Sequence, residues 1–172
     1  MERKYKLTDE CIQHKRRQLY RIQALRSFAD VKEGDLGGYI ESEDNLEQDG
    51  NCWVYDEAKV YGKAIVSLDA QVRDYAEVFN GAKVFDRAKV FDCAKVFNGT
   101  KVFNDAKVFC NAKVFNHVKV FGHANVYDMA ALSGNVRVYD YASVFGSAML
   151  DGAVEVFDNA RVFGCSKKIK QL

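Results

Sequence analysis

From Val54 to Val162 an aliphatic residue occupies every sixth position, Val throughout except at Leu132 and Leu150, and no insertion shifts the register. Between aliphatics the order is an aromatic, Asp/Asn/Gly, a variable residue, a small residue and a polar one that is usually Lys. Val84-Phe85-Asp86-Arg87-Ala88-Lys89 is a plain copy. The run small–Lys–Val–aromatic alternates strictly. That is the period-two signature of a strand, with Val and the small residue inward and Lys and the aromatic outward. The intervening pair, such as Asn98-Gly99 or Asp158-Asn159, tolerates a left-handed backbone and turns the chain.

A short strand and a corner every six residues predict a polygonal coil. The expected fold is all-β: a single-stranded triangular parallel β-helix of about six coils, each of eighteen residues in three sides. Its core is a column of Val flanked by Ala, with Thr100, Val118, Val136, Val154 and Ser166 in place of Ala. Each buried Val contributes roughly 1.5–3 kcal/mol of transfer free energy before chain entropy opposes it.

Ahead of the array the pattern is weaker. Segments 4–8 (KYKLT) and 19–25 (LYRIQAL) predict the strands of a short curved hairpin around the polar HKRRQ at 14–18. The run Gly34-Asp35-Leu36-Gly37-Gly38 predicts a turn with positive φ. No Lys-Ser/Thr pair follows it, as a phosphate loop requires. Residues 1–50 are therefore expected to cap the open end of the array, since the last strand of a solenoid needs cover. The array proper spans 51–166, with Cys52 at an inward and Trp53 at an outward position, and 167–172 form a basic tail.

Composition narrows the classes. With 25 Lys and Arg against 24 Asp and Glu, no overall charge points to nucleic acid or a membrane. No apolar run approaches the roughly 20 residues of a membrane span, and the N-terminus lacks the apolar core of a signal peptide. Five cysteines without regular spacing suit reduced thiols and a cytoplasmic location. The charge is nevertheless striped: residues 1–32 are mainly basic, 33–79 mainly acidic and 80–124 mainly basic.

The individuality of the chain lies on its outside. The residue after each aliphatic is aromatic except at Ser67, Arg73, Ser133 and Asp151. Positions eighteen apart share a face and predict three columns. These are Phe85, Phe103, Phe121, Tyr139, Phe157; Phe91, Phe109, Tyr127, Phe145, Phe163; and Phe79, Phe97, Phe115. Every phenylalanine but Phe28 is then on the surface of a lone prism, more apolar area than a soluble monomer normally exposes. The other outward position is Lys in consecutive hexads at Lys83, Lys89, Lys95, Lys101, Lys107, Lys113 and Lys119. Like charges about 5 Å apart cost up to roughly 1 kcal/mol per pair in water. Corner acids Asp86, Asp92 and Asp105 are expected to relieve part of this. A second basic patch, Lys15, Arg16, Arg17 and Arg21 beside His14 and Arg26, is read as solvated charge on the cap, with phosphate or RNA binding as the alternative.

No catalytic residue is nominated. His117 and His123 stand at different corners, and His14 lies in the cap. Cys93 and Cys110 sit on adjacent coils and can approach each other, with Cys165 further along, but a zinc site needs more ligands. No metal and no cofactor is expected.

The aliphatic-x-x-x-small spacing, as from Val156 to Ala160, resembles the hexapeptide repeat of left-handed parallel β-helices, which implies a left-handed coil. The chain departs from that pattern by carrying Phe or Tyr directly after the aliphatic. The leader, from LYRIQAL through FADVKEGDLGGYIES to NLEQDGNCWVYDEAKVYG, resembles a group of bacterial and prophage hexapeptide-repeat proteins often labelled transferases. Bactofilin-like filament proteins use a similar right-handed coil, but an end cap blocks a filament.

The first functional expectation is a non-enzymatic solenoid that binds a protein partner or another copy of itself, as a dimer or trimer. The prophage resemblance implies one concrete form, a phage-borne inhibitor of a host defence system. The label of the relatives implies an alternative, an acyl-CoA-dependent acyltransferase. A third reading is nucleic-acid or nucleotide binding, with Phe stacking and the Lys belt supplying charge.

Overall fold

The computed structural model describes residues 2–164, so Cys165, Ser166 and the basic tail at 167–172 lie outside the described residues. The chain is all-β, with a single 3-10 turn at Glu43–Asn45 as its only helical element among the described residues. Strands β1 (Tyr5–His14) and β2 (Arg17–Ala24) form an antiparallel hairpin that leads into β3 (Leu36–Ile40). Nineteen strands of two or three residues follow, from β4 (Trp53–Val54) to β22 (Arg161–Phe163). Each of the first sixteen pairs in parallel with the strand three further on. Lys89 thus faces Lys107 and Val90 faces Val108, eighteen residues away. The result is a parallel β-solenoid of about seven turns with sheets of nine, seven and six strands.

The stack begins earlier than the repeat does. Ile40 pairs with Val60 and Leu46 with Val66, offsets of twenty residues instead of eighteen, so an irregular turn precedes Val54. Its irregular spacing hides it from a period-six search.

Inside, the Val column and its small neighbours are almost completely buried, from Val54 to Val144 without exception. Corners are held by Asp, Asn or Gly at left-handed φ: Asp86 (58°), Asp92 (57°) and Asn98 (53°) among them. The αL residue's own amide points back along the stack, and the corner side chain of the preceding coil receives it. Asp74 Oδ2 accepts from the Asp92 backbone N–H at 3.1 Å and Asp92 Oδ2 from the Cys110 N–H at 3.0 Å.

One corner column differs. Asn80-Gly81, Asn98-Gly99 and Asn116-His117 each place two successive residues at positive φ. The Gly99 and His117 amides donate backward to Asn80 and Asn98 carbonyls, where ordinary corners donate forward. The β-branched replacements Thr100, Val118, Val136 and Val154 lie in the small-residue column beside this corner. Thr100 Oγ1 satisfies itself on the Phe97 carbonyl at 2.9 Å.

The cap closes the first turn with interactions used once each. Trp53, in outward register with Gln71, is only 1% exposed because Phe28 and Tyr5 meet it edge-on at 5.3 and 6.1 Å. Lys4 is fully buried, its ammonium donating to the carbonyls of Asp49 (3.1 Å) and Cys52 (3.0 Å) with Cys52 Sγ at 3.2 Å. Burial lowers the Lys4 pKa and raises that of the Cys52 thiol. Asn45 is saturated, donating to the Gly62 and Ala64 carbonyls and accepting from the Glu41 and Ser42 amides.

The Gly37-Gly38 pair corrects one expectation. It lies in a strand, not a turn, and a Cβ there would stand 2.6 Å from the Val54 carbonyl oxygen or 2.5 Å from that of Ala58. Close approach of two backbones demands glycine here. The turn of positive φ falls at Gly34, upstream of them (91°). No helix among the described residues is long and apolar enough to cross a membrane.

Candidate functional site

The outward columns form on all three sheets. On the six-stranded sheet Phe85, Phe103, Phe121 and Tyr139 stack at 4.9 Å between centroids with their planes within 7° of parallel, and Phe157 continues the stack at 5.5 Å. The seven-stranded sheet stacks Phe91 through Phe163, and the nine-stranded sheet stacks Tyr61, Phe79, Phe97 and Phe115. The centroid spacing matches the inter-strand spacing of about 4.8 Å, so the ladder itself sets the offset-stacked geometry that ring quadrupoles favour. Stacking hides ring faces. The phenylalanines are therefore half-buried, not the open apolar surface expected of a lone prism, and only Phe163 at the array's end is widely exposed, at 68%.

Beside the rings of the six-stranded sheet runs a cationic column. Lys101 pairs with Lys83 on one side and Lys119 on the other, and Lys119 with Arg137. Arg137 meets Glu155 at 3.2 Å. Lys83, Lys101 and Lys119 have no salt bridge among the described residues, nor have Lys89, Lys107 and Lys113. None of the corner acids Asp86, Asp92 and Asp105 forms a salt bridge with these lysines, although Asp105 lies close enough to Lys107 to feel its charge. Asp86 and Asp92 turn their carboxylates to backbone amides of the next coil, and Asp105 holds Arg87 in a two-point contact at 2.7 and 2.8 Å. The Arg87 hydrogen bonds lower the Asp105 pKa.

Lys95 is the exception, and it leads to a cluster the pattern missed. Glu77 occupies the outward position that Lys holds at 59, 95 and 113 of the same column. The two-residue hairpin turn Lys15-Arg16 has φ of 48° and 64°, the left-handed pair typical of a type I′ turn but without the usual glycine. This brings Lys15 Nζ to 2.7 Å and His14 Nε2 to 3.1 Å from Glu77 Oε2. Tyr61 donates to the same oxygen at 2.7 Å, and Lys95 lies 3.0 Å from Oε1. Burial alone raises a carboxyl pKa. Here the hydrogen bonds from Lys15, Tyr61, Lys95 and His14 outweigh it and hold the Glu77 carboxyl well below the usual range. Burial, then the bond to Glu77, pushes the Tyr61 phenol up. The one signal available in sequence was a lone acid in a lysine column.

The cap patch is drawn inward in the same way. Arg17 binds Glu41 at 2.7 Å, and Arg21 binds Glu57 at 3.1 Å while lying over Tyr39. Arg16 is exposed at the hairpin tip.

The three histidines are not brought together. His14 sits on Glu77, while His123 stacks on Tyr141 at 4.8 Å with Asp105 3.8 Å away. His117 lines a depression of about 530 Å³ with Lys119, Asn135, Arg137 and Glu155. Cys93 and Cys110 are free thiols joined only through a backbone bond, Cys93 N–H to the Cys110 carbonyl at 2.9 Å. Among the described residues no three His, Cys, Asp or Glu side chains gather closely enough to hold a metal ion.

No protein-family model matches the chain. It is similar to the uncharacterized acetyltransferase YdcK of Escherichia coli (strain K12), 42% identical over 55 residues. The match covers 31% of this chain and 17% of that protein, so the chain spans well under two thirds of the relative's length. Together with the solenoid, this similarity fits a hexapeptide-repeat β-helix.

Proposed function

We propose that the chain is a non-enzymatic binding scaffold, acting in the cytoplasm of a bacterial host, whose outward faces engage a protein partner. One observation carries this reading: Lys83, Lys101 and Lys119 line up on one face with no salt bridge among the described residues, while Lys15, Arg17 and Arg21 of the cap are each paired with an acid. Like charges placed directly opposite destabilise a sheet. A ladder that repeats them finds its compensation in something that binds. Inhibition of a host defence system is one form such a partner role takes, supported by the resemblance of the leader to prophage proteins. Association of two or three copies is another.

The test is co-purification from the native host with the wild-type chain and with Lys83→Glu/Lys101→Glu/Lys119→Glu. A partner lost with the variant, while circular dichroism and melting are retained, supports the scaffold. Identical co-purification by both proteins overturns it. Light scattering at micromolar concentration reports self-association directly.

The similarity to YdcK favours a second reading, acyl transfer from acetyl-CoA, with His117 beside Lys119 and Arg137 as its residues. Release of CoA thiol by the purified chain, lost in His117→Ala, would establish that activity in place of the scaffold.

A further inference from the structure

We infer that the six-stranded face is a docking surface for an acidic amphipathic helix of a partner protein. The inference rests on the scaffold reading above and names the partner's chemistry and shape.

The face offers two parallel columns. Lys83, Lys101 and Lys119 form one, and the stack containing Phe103 and Phe121 forms the other. Phe follows Lys two positions on, with one Val between, so the columns lie about 7 Å apart. A helix about 10 Å across covers both. Charge decides the sign of the partner: the lysines are unpaired, and stacked rings turn their electropositive edges outward because the negative faces are buried in one another. Carboxylates suit the lysine column, and apolar side chains beside them lie against the ring edges. Two six-stranded faces of a pair of copies do not fit together, since each repeats the same positive column.

Periodicity decides the shape. Two steps of the lysine column rise about 9.6 Å, at about 4.8 Å per coil. On a helix, residues i and i+7 are about 10.5 Å apart, a mismatch of about 1 Å that flexible lysines absorb. In an extended strand, side chains on one face recur every 6.8 Å or so, and two steps overshoot by about 4 Å. Single-stranded nucleic acid is disfavoured by the stacks themselves. Bases bind aromatic side chains through free ring faces, and the faces of Phe103 are occupied by Phe85 and Phe121 at 4.9 Å.

The probe is an 18-residue helical peptide with Glu at i, i+4, i+7 and i+11 and Leu following each, labelled for fluorescence anisotropy. Three comparators are a peptide of the same composition with Glu spread around the helix, a strand-forming peptide with alternate Glu, and a single-stranded oligothymidylate of equal charge. The patterned helix is expected to bind the wild-type chain at least tenfold tighter than each comparator. It should bind Lys83→Gln/Lys101→Gln/Lys119→Gln at least tenfold more weakly, and Phe103→Leu keeps a hydrophobe there while removing the ring edge and should weaken it severalfold. Equal binding of the scrambled peptide or the oligonucleotide would make the face a general polyanion surface and overturn the inference, as would absence of saturable binding by the patterned helix. If the helix fails but the charge-reversed chain still loses its partner in the host, this inference falls and the scaffold reading stands.

Discussion

The cap and the array solve the same problem, keeping a sheet edge and a hydrophobic column out of water, by opposite means. In the array every solution is copied. A Val, a small residue, an αL corner and a stacked ring recur, and stability is approximately a sum over neighbouring coils. In the cap nothing recurs: one buried Lys4, one Trp53, one saturated Asn45 and one Glu77 gripping the hairpin tip. Lys15, Arg17 and Arg21 of the cap pair with acids, while Lys83, Lys101 and Lys119 of the array face out without a salt bridge among the described residues. Repetition gives a fold that tolerates local loss, and unique contacts give a junction that does not.

Breaking the cap should therefore have the larger effect. Trp53→Ala removes the ring against which Tyr5 and Phe28 pack, and is expected to lower stability by about 3–5 kcal/mol in a denaturant titration. In the array, Val102→Ala deletes two carbons from the column and leaves a cavity, for about 2 kcal/mol. The same change at Val84 or Val120 should match it within about 0.5 kcal/mol, since neighbouring coils are nearly equivalent. A spread as wide as that between unrelated core sites would dissolve the distinction between copied and unique contacts.

Glu77 joins the two regions. Glu77→Gln removes the charge that Lys15 and Lys95 bind, and at neutral pH should cost about 1–3 kcal/mol, moderated by the half-exposed Lys15. Because the carboxyl is held low in the fold, its contribution is present above its ordinary pKa of 4.5 and fades as the pH falls below that value. Melting curves of the two proteins should differ at pH 7 and converge on acidification. Curves that remain parallel would place the stabilisation elsewhere.

The same contrast explains what the residues disclosed before any coordinates. Period six needs only Val, Ala and the corner pair, and each of these acts on its own strand, so the parallel solenoid and its outward columns were legible. The irregular turn through Ile40 and Leu46 was not, because its spacing is not six and its partners lie twenty residues on. Trp53 looked outward by register, and only the folding back of Phe28 and Tyr5 buries it. Gly37-Gly38 looked like a turn because close backbone approach and positive φ demand the same residue. The Glu77 cluster joins residues more than sixty positions apart through an unusual Lys-Arg turn. The lysine column was legible, but its lack of salt bridges was not, since Asp86 and Asp92 turn to backbone amides and Asp105 to Arg87.

The smallest effect is the most direct test of the central claim, that the lysine column serves a partner and not the fold. Adjacent lysines repel by up to roughly 1 kcal/mol per pair in water, and about 1 kcal/mol moves the melting midpoint of a chain this size by some 2–4 °C. The measurement is the thermal midpoint of Lys83→Gln/Lys101→Gln/Lys119→Gln against wild type at low salt, repeated at about 1 M salt, where the Debye length is about 3 Å. The account predicts a variant that melts a few degrees higher at low salt, with the gain vanishing at high salt. A variant that melts lower at both would show the lysine stems holding the sheet together, and would contradict it.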